Sequence, residues 1–152
     1  MTTDVKGDYE SIDHTILLKQ LDKDIADPFI RRLLVQLVKR TVERGGRFKS
    51  IRRGISRGCP LSPVIAAYYL KGLDEQMEGD TRYFNLRYMD DIIVLAKTRW
   101  HLRVAVKTVK TVNQLNVAQA PDKTFIGRIS RGWDFLGYHF DGKYLTVAAK
   151  TV

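Results

Sequence analysis

Cysteine is nearly absent from these 152 residues: Cys59 stands alone. One thiol cannot build a disulfide framework, so stability must come from a buried core. With no Cys–His constellation beside it, Cys59 reads as a small packing residue rather than a nucleophile. Also missing is any apolar run of the roughly 20 residues needed to cross a bilayer, and no charged segment followed by an apolar stretch marks the chain for secretion. A cytoplasmic, reducing setting without membrane contact is the expectation. His14, His101 and His139 are scattered and lack metal-ligand spacing. Acidic residues are in deficit, 17 against 26 Lys and Arg, which leaves a formal charge of +9. A chain with 44% hydrophobic and 28% charged residues is too apolar for disorder and long enough for one domain.

The excess charge is concentrated. Between Arg31 and Gly58 lie ten basic residues (Arg31, Arg32, Lys39, Arg40, Arg44, Arg47, Lys49, Arg52, Arg53 and Arg57) and one acid, Glu43, so this segment alone carries the net +9. Elsewhere 16 basic and 16 acidic residues cancel. Such a block is a solvated face or a phosphate-binding surface, and its confinement to one segment favours phosphate.

Thr2 to Lys6 suits a strand, ended by Gly7. Ile12, Ile16, Leu17, Leu18 and Leu21 recur at helical spacing, which predicts a helix over 13–22 capped by Ser11 or Asp13. Asp27-Pro28 is an N-cap followed by a first-turn proline, and the apolar stripe after it predicts a second helix over 28–43, stopped by Gly45-Gly46. Residues 48–53 read as a basic extended piece of a hairpin. A loop punctuated by Gly54, Gly58, Pro60 and Pro63 opens a third helix, with Val64, Ile65, Ala67, Tyr68, Leu70, Leu73 and Met77 expected inside. Strands are expected at 82–88 and 92–96 about a turn at Met89-Asp90-Asp91, then a helix over 99–116. Extended segments follow at 123–128, 134–140 and 143–147, the last two joined by Asp141-Gly142. This order fits an α+β fold on the split βαβ (ferredoxin-like) plan, an antiparallel sheet with helices on one face. The plan alone does not decide function.

Asp90 and Asp91 at a strand turn are hard oxygen donors of the kind Mg²⁺ takes, although a solvated turn would hold the same residues. Three further segments supply context: Asp4-Val5-Lys6-Gly7-Asp8-Tyr9, then Gly54 to Pro63 with Gly58-Cys59-Pro60-Leu61-Ser62-Pro63, then, beyond Tyr88-Met89-Asp90-Asp91, Lys123 and Phe135-Leu136-Gly137-Tyr138. This ordered set resembles the reverse transcriptases, within them the bacterial group II intron-like branch, over nearly the whole chain. Each motif alone is weak; the order makes the set specific.

The resemblance implies an RNA-directed DNA polymerase palm with a C-terminal primer-grip hairpin. It implies that Asp4 and Asp90 hold two Mg²⁺ ions, with Mn²⁺ as substitute, that Asp91 assists, and that Val5 offers its backbone carbonyl. Such a site transfers a dNMP from a dNTP to a primer 3′-hydroxyl. Tyr9 takes the position of the aromatic that excludes a 2′-hydroxyl. Gly58 and Arg57 lie at the nucleotide; Arg57 stands where the pattern has Gln and can contact phosphate or stack but cannot accept a hydrogen bond. Lys123 matches a lysine that protonates the leaving pyrophosphate. Pro60, Tyr88, Met89, Phe135, Leu136, Gly137 and Tyr138, with the basic Arg47, Lys49, Arg52 and Arg53, fall to RNA template and DNA primer. On this reading residues 1–152 are one palm domain and 31–58 part of the fingers. The N-terminal fingers and the thumb would lie outside, leaving a fragment weak or inactive alone. The alternative is a catalytically silent nucleic-acid-binding domain on the same plan. Nothing in the sequence fixes an oligomeric state.

Overall fold

A computed structural model of the chain describes residues 1–6, 8–110, 115, 118–120, 123–149 and 151. Their contacts fall into two compact units, one of Met1–Lys6, Gly72–Val112 and Ala118–Val152, the other of Gly7–Lys71 and Asn113–Val117.

The first unit carries the main sheet. Strand β1 (Thr2–Lys6) lies between β5 (Asp91–Ala96) and the two-residue β6 (Ala118–Gln119), and β4 (Tyr83–Tyr88) forms the far edge, giving the order β4-β5-β1-β6 with every neighbour antiparallel. That is the strand order of the split βαβ plan. Val5, Ile92 and Val94 are buried to 2% exposure or less. Helix α6 (Arg99–Lys110) lies against β5 and β4 and turns Ala105 and Val109, one turn apart, out of water. The end expected for this helix, 111–114 and 116, lies outside the described residues. Past a 3₁₀ turn at Ile129–Arg131 come β7 (Trp133–Phe135), β8 (Tyr138–Phe140) and β9 (Leu145–Val147), an antiparallel three-stranded sheet.

The stretch 134–140, expected as one strand, is therefore itself a hairpin. Leu136 and Gly137 turn it, both in the left-handed region at φ 49° and 79°, the sign pattern of a two-residue I′ turn. Gly137 takes that conformation freely, and Leu136 beside it hid the signal. The next connection, Asp141–Tyr144, turns as expected: the Asp141 carboxylate accepts from the Lys143 and Tyr144 amides at 2.8 and 2.7 Å.

The second unit is mainly helical. After a single turn, α1 (Asp8–Ser11), come α2 (His14–Asp24) and α3 (Pro28–Val38). Of the two cap candidates for α2, Ser11 and Asp13, it is Asp13 that accepts from Thr15 and Ile16; Asp27 caps α3 as expected, accepting from Phe29 and Ile30 at 2.8 and 3.1 Å. Replacing Asp27 with Ala should cost about 1 kcal/mol of stability, read as a lower urea midpoint at unchanged slope. Helix α3 ends at Val38, five residues before the expected stop. Thr41 and Val42 are β-branched and pair as β2 (Thr41–Arg44) with β3 (Arg47–Ser50) across Gly45-Gly46, both at positive φ. The third predicted helix is two, α4 (Ser62–Tyr69) in this unit and α5 (Lys71–Met77), which from Gly72 on belongs to the first unit, with the break at Leu70. The break shifts the phase, so Tyr69 is fully buried in place of Tyr68, and Val64 is 64% exposed.

Candidate metal and nucleotide site

The β4–β5 hairpin turns on two residues, Met89 and Asp90, because Tyr88 pairs directly with Asp91. Met89 takes φ 53°, a conformation that costs an L-residue about 1–2 kcal/mol. Arg87 holds the turn in place. Its guanidinium grips both oxygens of Asp74 on α5, with Nε–Oδ1 at 2.8 Å, and its Nη1 donates to the Met89 carbonyl at 2.7 Å. That fork arrangement needs arginine.

β1 brings the third carboxylate. Asp4 stands opposite Asp91 in the antiparallel register, so the two project from the same face, and the Val5 amide donates to the Asp90 carbonyl at 3.0 Å. Asp90 lies near enough to Asp4 for the two carboxylates to feel each other's charge. Burial pushes the Asp90 carboxyl above the usual carboxylate range, and the negative charge of Asp4 adds to the shift. Asp91 is pushed up as well, by burial first and then by Asp90 and Asp4. Three acids drawn together out of water want a cation.

Lys123 supplies one: its ammonium forms an ion pair with Asp4, which raises the lysine's own pKa. The backbone explains its reach. Val5 and Lys6 pair with Gln119 and Ala118, and Thr2 next pairs with Phe125, so two residues of β1 face five positions of the edge strand. Thr124, next to Lys123, is tied to β1 by a 2.7 Å hydrogen bond between its hydroxyl and that of Thr3.

A cavity of about 260 Å³ opens on Asp4, Asp91 and Lys123, and the β7–β8 turn closes it with Phe135, Leu136 and Gly137. Phe135, Leu136 and Gly137 thus lie on the same cavity as Asp4 and Asp91. Tyr88, Met89 and Tyr138 stay exposed at 55%, 46% and 52%. Asp134 also lines the cavity, held at 2.6 Å by His139 Nδ1. Sequence reasoning missed it, because a single Asp in an apolar stretch carries no signal until its strand is placed.

Among the described residues no three His, Cys, Asp or Glu side chains close on one point tightly enough for an all-protein metal cage. Mg²⁺ does not need such a cage; it binds through one or two carboxylates plus water and substrate phosphates. The Asp4–Asp90 pair meets that requirement, and the hard, partly buried oxygens fit the ion. Val5 is buried between β5 and β6.

The other expected residues belong to the second unit. Tyr9 is half-buried, and its carbonyl accepts from Ile55 at 2.7 Å. Gly54, at φ 86°, sits against the Tyr9 and Glu10 carbonyls, where a Cβ would come within 3.2 Å of both oxygens. Arg57 is exposed and paired with Glu10 at 2.8 Å. Gly58 takes φ 84° in the loop that leads past Pro60 to α4. Arg47, Lys49, Arg52 and Arg53 are exposed or half-exposed on β3 and just after it. Arg52 also lines a cavity of about 720 Å³ with Lys19, Arg31, Lys39 and Arg40, so part of the basic block converges on one cleft. His14 is a core residue whose Nε2 donates to the Gly54 carbonyl at 2.7 Å.

Two telomerase structures share this fold. Apo telomerase from Candida tropicalis, truncated of its C-terminal domain, superposes with a TM-score of 0.64 at 14% identity, covering 97% of this chain and 35% of that one. Telomerase from Candida albicans, in complex with a fragment of telomeric RNA, gives 0.65 at 12% identity, covering 99% and 31%. The chain therefore spans about a third of the length of these proteins. No curated protein sequence matches it. Residues 1–140 match the family Reverse transcriptase (RNA-dependent DNA polymerase), and with the motifs in order and the acids of the first and third brought together, the chain belongs to that family.

Proposed function

We propose that this chain is the palm of an RNA-directed DNA polymerase that adds dNMP units to a DNA primer on an RNA template. The observation that carries the reading is the pairing of Asp4 with Asp91 on adjacent strands, with Asp90 at the turn beside them. Divalent metal ions serve this family generally. Two Mg²⁺ at Asp4 and Asp90, with Mn²⁺ as substitute, would lower the pKa of the primer hydroxyl and neutralise the triphosphate. Asp91 adds negative charge from beside the pair, and Val5 lies next to Asp4 in β1. Lys123 is placed to give up Asp4 and to donate a proton to the leaving pyrophosphate. Phe135, Leu136, Gly137 and Tyr138 support the primer end, with Tyr88 and Met89 at the hairpin tip. Tyr9, Arg57, Gly58 and Pro60 serve the nucleotide and the templating pair. The cleft containing Arg52, with Arg47, Lys49 and Arg53, holds template phosphates, residues 31–58 being fingers within one palm-centred domain. The group II intron-like branch and a cytoplasmic setting complete the proposal.

Extension of a DNA primer on an RNA template, started by Mg²⁺ and stopped by chelation, tests it in the protein that carries this chain. Templated product that forms equally well in excess chelator would overturn the reading. One observation favours the silent nucleic-acid-binding alternative, the ammonium of Lys123 already seated on Asp4. Metal binding separates the two. Asp90 and Asp91 have raised folded pKa values, so their contribution to stability is present below the ordinary value of 3.8 and is lost as pH rises through the raised ones. Mg²⁺ at about a hundred times its dissociation constant should then raise the melting temperature at pH 7.5 by about 5–10 °C, and by less at pH 4, where protons compete for Asp90 and Asp91. No shift at either pH would leave the silent domain as the answer.

A further inference from the structure

The sheet-bearing unit has a second concave surface, built from α6 and the segment just before β7. A groove of about 780 Å³ runs between them. Leu102, Val106 and Ile126 give it an apolar wall, and Arg99, Arg103, Arg128 and Arg131 stand around it. Among the described residues no acidic one lines it. Among the described residues none of the four arginines has a carboxylate partner. Helix α6 itself contains no acid. Beside the groove the Trp100 indole is 72% exposed, and the Arg103 guanidinium lies over it, 4.9 Å from the ring centroid.

We propose that this groove binds single-stranded nucleic acid, its arginines taking phosphates and Trp100 stacking on a base. Four arginines from two separate segments line one groove, and among the described residues no carboxylate pairs with them, so a chain of phosphates supplies the missing charge at a spacing free to adjust. Guanidinium forks match phosphate oxygens two at a time. An exposed indole beside a cationic groove is the combination that holds unpaired bases without regard to sequence. The solvated face of an ordinary amphipathic helix mixes acids with bases; this one does not. A bilayer surface would need a protruding apolar face, whereas these apolar side chains line a recess.

The groove shares no residue with the cavity at Asp4 and Asp91. A strand held here is therefore a different stretch from the one at the metal site. This inference does not depend on the polymerase reading, since groove binding should survive an Asp90→Asn substitution unchanged.

Intrinsic fluorescence tests it directly. The chain has two tryptophans, so in a Trp133→Phe background Trp100 is the only reporter. Addition of a 12-nucleotide oligo-U or oligo-dT should quench it saturably, with one or both probes active according to whether RNA, DNA or either is bound. Anionic vesicles and poly-glutamate should leave it unchanged. Changing Arg103, Arg128 and Arg131 together to Gln should weaken oligonucleotide binding at least tenfold and flatten the slope of log affinity against log salt by about two. Trp100→Ala, read by the anisotropy of a dye-labelled oligonucleotide because it removes the fluorescent reporter, should weaken binding about tenfold with the salt slope kept. Lys at the three arginine positions should restore most of the salt slope. Absence of quenching by both oligonucleotides, or equal quenching by poly-glutamate or vesicles, overturns the proposal. So does a triple Gln variant that melts normally and binds unchanged. The quenching measurement uses an intact groove, so it decides even if the triple variant fails to fold.

Discussion

Asn at position 90 should lower Mg²⁺-dependent nucleotide addition at least a thousandfold, and Mn²⁺ affinity, read by electron paramagnetic resonance, at least tenfold. The substitution keeps shape and removes charge from the acid that burial and Asp4 already resist ionising. Metal-held charge stabilisation is worth several kcal/mol in a transition state, which is the size of the expected loss. Stability should move the other way. With one of three crowded carboxylates neutral, the folded chain at pH 7.5 is relieved of like-charge repulsion, so Asp90→Asn should melt no lower than the parent without metal and gain little when Mg²⁺ is added. Asp91→Asn should cost far less activity, since Asp91 adds charge from beside the Asp4–Asp90 pair. A variant at position 90 that polymerises normally would remove the Asp4–Asp90 pair from the chemistry.

The largest expected loss of stability comes from Tyr69. Its side chain is fully buried, its hydroxyl accepts from the Asp13 amide at 3.2 Å, and it donates to the Leu115 carbonyl. Burial pushes the phenol's pKa up, so it remains a donor across the working pH range. Tyr69→Ala should cost about 3–5 kcal/mol through the cavity it leaves. Tyr69→Phe keeps the packing but strands an amide and a carbonyl, for about 1–3 kcal/mol. Urea unfolding of the three proteins gives both differences. If Phe were as damaging as Ala, the hydroxyl and not the ring would hold this unit together.

Much of the fold is legible in the sequence, and the parts that stay hidden share a cause. Asp13, Asp27, Pro28 and the Asp141 turn act on neighbours a few residues away, so local chemistry placed them. The acids at 4, 90 and 91 were legible as a set through their order, and the sheet register then put Asp4 against Asp91. The stop of α3 at Val38 was not legible. Val42 continues an apolar stripe that suits a helix as well as a strand, and only pairing with β3 decides between them. The turn at Leu136 was masked because an apolar residue occupies a left-handed position. The ion pair of Lys123 with Asp4 spans 119 positions and depends on five edge positions facing two of β1, a register no local pattern encodes.

That irregular edge also bears on how the protein keeps to itself. Strand β6 offers two ladder positions before its backbone leaves the sheet, so a neighbouring molecule has almost nothing to zip against on that side. The opposite border is six residues long and straight in register, and its Phe84, Leu86 and Tyr88 are 59%, 48% and 55% exposed. Sheet-to-sheet association at high concentration, and the first step toward fibrils, would therefore start from the Tyr83–Tyr88 border. A lysine at position 84 or 86 is the change that would make this chain easier to handle.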